Sequence, residues 1–572
     1  MKHLLCLLFL ATALPAAERT PNVIFILADD LGYTDVACFG SKYYETPNID
    51  KLASQGMKLT RHHHCQNCQP TRAALMSGQY APRTGVYTVG GIGRFEWESR
   101  PLRPVDNVTE LPLEKVTIAQ TMKKAGYATG MFGKWHLGED AAHHPAARGF
   151  DEAIVSMGRH FGFKTNPKVE HPKDEYLADF LTDKAVDFIQ RHKEAPFFLY
   201  LPHFGVHSPH EAKENLIARF KDKAPVGGHH SPVYAAMIAS VDESVGRVMA
   251  ALDELKLADN TVLIFSSDNG GVGGYAREGL KKGGDITDNA PLRSGKGSLY
   301  EGGTRVPFIV RWPGVTQPGS SSDVPTIHVD LYPTFAEIGK AAAPAGYPLD
   351  GESLVPVFRD ASASLKRDAI YQHFPGYLGA GENTWRTTPV GLIEQGDWKL
   401  MEFFEDNRLE LYNLKDDIGE QKNLATAQPE KTKDLHAKML AWRESIKAPM
   451  PAKNMPSSAA VKLKGDEVKT DDQSGIITAL GNASARFGSF SIKASQIRHD
   501  TKAQKLTMVA PFEIIHENKK VSSTDPAAVS VLDLKEEKIT TTGLHTNEII
   551  ELAPKKQGKG KGKKKQQADK AE

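Results

Sequence analysis

Cysteine is scarce in this 572-residue sequence, which holds four. Cys6 falls in the first stretch of the chain, so Cys38, Cys65 and Cys68 remain beyond it. Three cysteines do not make a disulfide framework. Long apolar runs are missing too. Leu4 to Leu14 is too short to span a bilayer, and no later run is long enough, so no transmembrane segment is expected. With Lys2 and His3 before that stretch and small Ala16 and Ala17 after it, residues 1–17 read as a signal peptide, and a secreted or periplasmic location is expected. An excess of either charge is also lacking, with 71 basic against 70 acidic residues. The balance hides a local asymmetry: eight lysines face Asp569 and Glu572 beyond residue 552. Residues 553–572 read as a disordered tail, and the remaining body, slightly acidic, does not suggest nucleic acid. At 40% hydrophobic and 25% charged, the chain is an ordinary globular protein able to bury a large core.

What is present is a set of buried-strand patterns that end in polar residues. Val23 to Leu27 is continuously apolar, as in a strand covered on both faces, and it runs into Asp29 and Asp30. "GYATGMFGKWHLG" ends at Lys134 and His136, "PFFLYLPHFGVHSPH" near His203 and His207, and "TVLIFSSDNGG" at Asp268 and Asn269. Helical patterns such as "VTIAQTMKKAGY" and "PVYAAMIASVDESVGRVMAALDEL" lie between them. The alternation predicts an α/β fold with a large, mostly parallel sheet sandwiched by helices, whose ligands sit at the carboxyl ends of the strands. "GKGSLYEGGTRVPFIVRWPG" adds a glycine-rich loop with Lys296, then a strand from Val306 to Arg311.

The expected division is a catalytic α/β domain over 18–344 and a smaller α+β subdomain over 345–455. That subdomain has an antiparallel sheet in "LIEQGDWKLMEFFEDNRLELYNLKDD" and an amphipathic helix in "PEKTKDLHAKMLAWRESIK". Residues 456–552 read as a polar, β-rich extension with no assigned role.

The side chains at these ends have a chemistry in common. Asp29, Asp30, Asp268 and Asn269 offer only oxygen, which suits a hard divalent cation, Ca²⁺ or Mg²⁺. Arg72, Lys134 and Lys296 offer positive charge, and His136 and His207 can move protons near neutral pH. Together they describe a site for an oxyanion ester, sulfate or phosphate. In "CQNCQPTRAALMSG", Pro70 fits a first helical turn and Arg72 to Met76 are good helix formers. Cys68 therefore stands at a helix N-terminus, where an anion is attracted.

"CQPTR" at Cys68–Arg72, followed by "AALMSG", resembles the signature of the type I sulfatases, Cys-x-Pro-Ser-Arg with a downstream Leu-x-Thr-Gly-like element. "DDLGYTD", "GKWHLG", "SSDNGG" and "GKGSLYEGGTRVPFIVRWPG" resemble the same family in the same order, over roughly residues 20 to 450. Thr71 and Ser77 depart from it but keep a hydroxyl. The resemblance implies an alkaline-phosphatase-like fold and sulfuric ester hydrolysis. It also implies one Ca²⁺ per chain, held by Asp29, Asp30, Asp268, Asn269 and modified residue 68, and conversion of Cys68 to formylglycine by a maturation enzyme. One hydroxyl of the hydrated aldehyde then attacks sulfur, and a covalent sulfate ester forms. His207, with Lys296, protonates the leaving alcohol. His136 takes the proton of the second hydroxyl, which expels sulfate. Arg72, Lys134 and Lys296 offset charge on the transferring group. A sulfated small molecule or glycan is the implied substrate, with sulfated carbohydrate favoured.

Competing readings exist at several positions. His203 and His210 are alternatives to His207. His64, Cys65 and Cys68 could form a zinc clip, or Cys65 and Cys68 a disulfide. Cys38 reads as a small buried residue. His62, His63 and His64 line a pocket mouth or are plain surface. Asn107 and Asn482 lie in glycosylation sequons. Two rival functions remain: a phosphodiester or phosphonate monoester hydrolase on the same fold, and a non-maturing protein that binds sulfated glycans with unmodified Cys68. A pure binder has no need of both His136 and His207. Specificity is expected from the rim segment "GGIGRFEWESRPLRPVD", including Arg94, Arg100 and Arg103, and from the subdomain.

Overall fold

The computed structural model describes residues 20–551 apart from 382–383, 455–460, 472, 488–489, 517–518, 535–537 and 543–548. The expected signal peptide and the lysine tail lie outside the described residues. The central sheet has eight strands: β1 (Asn22–Ala28), β2 (Met57–Leu59), β3 (Ala128–Gly133), β4 (Glu152–Val155), β5 (Phe197–Pro202), β6 (Thr261–Ser267), β7 (Phe308–Arg311) and β8 (Ser320–Ser322). Their order is β8-β2-β7-β6-β1-β5-β3-β4. β1 pairs in parallel with β5 and β6 at the centre. The expected strand from Val306 is shorter, beginning at Phe308, and it runs antiparallel to both β2 and β6.

Helices cover both faces, and β1 shows why its sequence is apolar from Val23 to Ala28. Ile24 and Ile26 join a core built with the helices Leu177–Arg191 and Pro232–Glu254. Val23, Phe25 and Leu27 join the opposite core, with the helices Cys68–Ser77, Ile118–Lys124 and Leu331–Ile338. Strand side chains alternate between faces, so a sheet buried on both sides favours apolar residues at every position. Each such side chain contributes roughly 1.5–3 kcal/mol relative to exposure. Thr117 caps the helix Ile118–Lys124, with Gln120 bonding back to it, the reciprocal pair that the sequence T-x-x-Q favours.

A four-stranded antiparallel sheet follows, Ile370–Phe374, Val390–Gln395, Trp398–Phe403 and Arg408–Asn413 in that spatial order. Ile393, Leu400 and Leu411 pack on Leu435 and Met439 of the helix Pro429–Ser445. From the middle strand, Lys399 reaches Glu301 and Glu420, each at 2.8 Å. This sheet belongs to the same compact unit as the central one, which spans the chain through Trp97 and then Pro104–Ala452. The other unit joins Glu98–Arg103 to the chain from Lys453 onward. It is a nine-stranded antiparallel sheet whose long members are Ile476–Phe487, Phe490–Asp500 and Lys505–His516. Alternate residues such as Ile492, Leu506, Met508 and Ile514 form its core, and the polar residues between them face outward.

Candidate active site

Strand register brings the site together. Leu27 lies beside Pro202 on one side and Ser266 on the other. The residues just past these strands are therefore neighbours: Asp268 N donates to Ala28 O, His203 N to Leu27 O, and Lys134 N to Pro202 O. Gly133 makes the last approach possible. Its φ is +133°, and a Cβ there would stand 1.9 Å from the Pro202 carbonyl. Asp30 and His136 also adopt positive φ, 64° and 62°, which is strained for residues with a side chain and is held by the packing around them.

The helix begins at Cys68, as its sequence predicts, with all ten of its residues buried. Cys68 Sγ lies 3.4 Å from Asp29 Oδ1 and 3.9 Å from Asp30 Oδ1. One turn on, Arg72 donates through Nε and Nη2 to Asp268 Oδ2 and through Nη1 to Lys134 O at 2.6 Å. Lys134 Nζ donates to Asp29 at 2.5 Å and Lys296 Nζ to Asp30 at 2.7 Å. Asn269 Nδ2 donates to Asp30 Oδ1, while Asn269 Oδ1 is buried with no partner. Asp29, Asp30, Asp268, Asn269, Cys68, Arg72, Lys134 and Lys296 thus converge on one point.

His207 joins them, its Nε2 lying 3.7 Å from Asp30 Oδ2. Of the alternatives, His203 is buried against Ser244 Oγ at 2.9 Å, away from this cluster, and His210 packs on Tyr234. His136 is largely enclosed, with Nδ1 buried and unpartnered. Burial, then Lys134 and Arg72, pushes it down to about 2, so it is neutral as drawn. Burial works against the ionised form of Asp29. Lys134, His207, Arg72 and Lys296 outweigh it and hold that carboxyl well below the usual range. The Cys68 thiol is pushed up by burial and then by Asp268 and Asp29, so it stays protonated and is a poor nucleophile as cysteine.

The donor set fits a hard cation. Asp29, Asp30, Cys68 and His207 each present a ligand atom within 4.8 Å of the others, and the stranded Asn269 oxygen is an acceptor waiting for positive charge.

The remaining histidines and cysteines are placed otherwise than surface or clip. His62, His63 and His64 are buried, not at a pocket mouth, because a short strand pairing sets His62 beside Thr326 and His63 beside Ile327. His62 Nε2 meets His64 Nε2 at 2.9 Å, and His63 Nε2 meets Glu301 at 3.1 Å. Cys65 faces His328 at 3.4 Å, and Cys38, Cys65 and Cys68 are all free thiols. Cys38 is half-buried. Asn107 uses its side chain to bind Tyr87 N, Thr88 N, Thr88 O and Gly90 O, which leaves its sequon structural. Sequence reasoning missed His160, whose Nε2 contacts His207 O at 2.8 Å, and Arg386, which contacts Lys296 O at 3.2 Å. Neither carries a motif that would have marked it.

The family model described as Sulfatase matches residues 21–341, and that described as N-sulphoglucosamine sulphohydrolase, C-terminal, matches 295–448. A Sulfatase of Formosa agariphila is 35% identical over 515 residues, covering 76% of this chain and 90% of the relative. An N-acetylgalactosamine-6-O-sulfatase of Bacteroides thetaiotaomicron is 30% identical, covering 73% and 92%. The crystal structure of Ps i-CgsB in complex with k-i-k-neocarrahexaose superposes with a TM-score of 0.64 at 30% identity, covering 76% of this chain and 95% of that one. A buried cluster balanced to receive an anion, in a fold shared along nearly the whole of these relatives, has one reading: the chain belongs to the sulfatase family and is a sulfuric ester hydrolase.

Proposed function

We propose that the protein is an exported, Ca²⁺-dependent sulfatase that removes sulfate from a sulfated carbohydrate through formylglycine at residue 68. The observation that carries this reading is the meeting of Asp29, Asp30, Asp268 and the stranded Asn269 oxygen with Arg72, Lys134 and Lys296 around a buried Cys68 at a helix N-terminus. The unreactive Cys68 thiol supports modification, since an unmodified cysteine there would attack poorly. The names of the relatives, one an N-acetylgalactosamine-6-O-sulfatase and one in complex with k-i-k-neocarrahexaose, support carbohydrate. The leader-like residues 1–17 support export, and no helix among the described residues is long and apolar enough to cross a membrane.

When present, the cation would draw charge from a bound sulfate, and the hydrated aldehyde would supply one hydroxyl to attack sulfur and a second to release it. Asp29, Asp30, Asp268 and Asn269 Oδ1 would hold the cation. Arg72, fixed by Asp268 and by Lys134 O, keeps residue 68 aligned with the anion. Lys134 and Lys296 have long stems. Their ammonium groups, now held by Asp29 and Asp30, would be free to face the sulfate oxygens where a cation occupied those carboxylates. His207 Nε2 donates a proton to the departing alcohol oxygen. His136, neutral in its enclosed place, accepts a proton at its ring nitrogen, and the sulfate's negative charge raises its basicity when it is bound.

The test is release of sulfate by purified protein from a panel of sulfated glycans, with Cys68→Ala as control. A preference for a phosphate diester over the sulfate ester of the same phenol would sink this reading.

A further inference from the structure

A second recess adjoins the site, and nothing above gives it a task. It is a recess open to solvent, with about 340 Å³ of space between walls that include Tyr87, Phe95, Trp97, Phe374 and Tyr377, and only its depth, about 20 Å³, is enclosed. Trp385 extends the same surface, its ring 6.2 Å from Phe95 and 5.3 Å from Tyr377. Two polar atoms there, Trp97 Nε1 and Tyr87 Oη, are buried and unpartnered. Buried polar groups are almost always bonded, so two stranded in one apolar recess call for a ligand that is apolar on its face and polar at its edge.

The recess is tied to the catalytic cluster on two sides. Asn67, next to Cys68, donates to Thr88 Oγ1 at 3.0 Å, and Gln66 donates to Tyr87 O at 2.8 Å. Trp385 precedes Arg386, whose Nη1 donates to Lys296 O and whose guanidinium stacks 4.3 Å from the Tyr275 ring. The four bonds of Asn107 fix the entering loop, so the recess is preformed. At its rim, Arg94 lies over the Phe95 ring at 5.3 Å and places a cation beside the aromatic face.

We propose that this recess is the subsite for the sugar ring next to the sulfated one in an anionic glycan. The proposal rests on the carbohydrate reading above. A pyranose shows aromatic side chains an apolar C–H face and offers hydroxyls to Trp97 Nε1 and Tyr87 Oη. A hydrocarbon ring would fill the space but leave both atoms stranded. Arg94 suits a chain that carries further sulfate.

The test compares 4-nitrophenyl sulfate with a sulfated monosaccharide and with sulfated galactosaminoglycan and carrageenan oligosaccharides of increasing length. For wild type, kcat/KM should rise from mono- to oligosaccharide. Trp97→Ala and Phe95→Ala should remove that gain, about ten-fold or more and mainly in KM, and leave 4-nitrophenyl sulfate within about two-fold. Aryl sulfate turnover also reports that each variant is folded. Trp97→Phe, which keeps the ring and loses the N–H, should lose a few-fold on the oligosaccharide alone, as should Tyr87→Phe. If wild type cleaves oligosaccharides and these variants match it on every substrate, the subsite is wrong while the carbohydrate reading stands. If wild type cleaves 4-nitrophenyl sulfate and no glycan, both are overturned.

Discussion

Arg72 and Asp268 stand 196 residues apart in the chain and meet through two donors on one oxygen, Nε at 3.0 Å and Nη2 at 2.8 Å, with both side chains fully enclosed. That contact joins the helix of Cys68 to the end of β6, so the proposed nucleophile position and the proposed metal ligands form one rigid piece. Removing one partner would leave a buried charge uncompensated, a cost of about 3–5 kcal/mol.

Residue 68 of active protein should be found by peptide mass spectrometry as an aldehyde, with sulfur lost and oxygen gained. Cys68→Ala should fold and have no measurable turnover. Cys65→Ala should retain much activity, because Cys65 faces His328 and does not touch the cluster. Active protein carrying only unmodified Cys68 would overturn the mechanism.

Chelation should abolish turnover, and added Ca²⁺ should restore it. The accompanying drop in Tm should be modest. The clustered carboxylates look strongly repulsive in the sequence, but Arg72, Lys134 and Lys296 already neutralise them. Binding adds stability only as RT ln(1 + [L]/Kd), about 2.7 kcal/mol at a hundred-fold excess over Kd. Full activity in protein shown by elemental analysis to be free of metal would refute the site.

His207→Ala and His203→Ala should part company. The first should slow esters of poorly acidic alcohols by about 10²-fold or more and spare those of acidic phenols, which leave without a proton. The second removes the partner of Ser244 and should lower melting temperature without that dependence on the leaving group. Equal dependence in both variants would shift the acid role away from His207.

Acid should destabilise the fold. His62, His64, His203 and His328 are buried neutral, burial pushing His203 down to about 4 and His328 to about 3, with His62 and His64 lowered as well. In the unfolded chain each takes up a proton near 6.5. The stability that depends on their neutrality is therefore complete above that pH. It is lost as pH falls toward the folded values, by up to about 1.4 kcal/mol per pH unit for each histidine. Denaturant titrations between pH 7.5 and 5.5 should show uptake of more than one proton on unfolding. A pH-independent midpoint would contradict this assignment.

The strand ends were legible because each motif couples an uninterrupted apolar run to the residue just past it. Val23–Leu27 before Asp29 and Thr261–Ser267 before Asp268 place carboxylates at the edge of a doubly covered sheet. The start of the helix at Cys68 could likewise be read from Pro70 and the helix formers after it. What could not be read depends on pairings between distant segments. Three consecutive histidines look like surface until the pairing of His62 with Thr326 buries them. The antiparallel course of Phe308–Arg311 is set by its neighbours, since an apolar run reads the same in either direction. The aromatic recess joins a loop at Phe95 to a hairpin at Trp385, a closeness with no local signal.

The whole helix that begins at Cys68 is enclosed, and Cys68 itself is 1% exposed. If Cys68 is converted as proposed, the catalyst must reach this side chain, and the closed fold denies that. Conversion and folding are thus competitors in time, and a chain that folds first is locked out for as long as it stays folded. Catalyst added to folded, unconverted protein should accomplish nothing. Converted protein that has been unfolded and refolded alone should regain its activity. Specific activity then records how a preparation was made, since two samples with the same sequence and the same fold can hold different fractions of working enzyme.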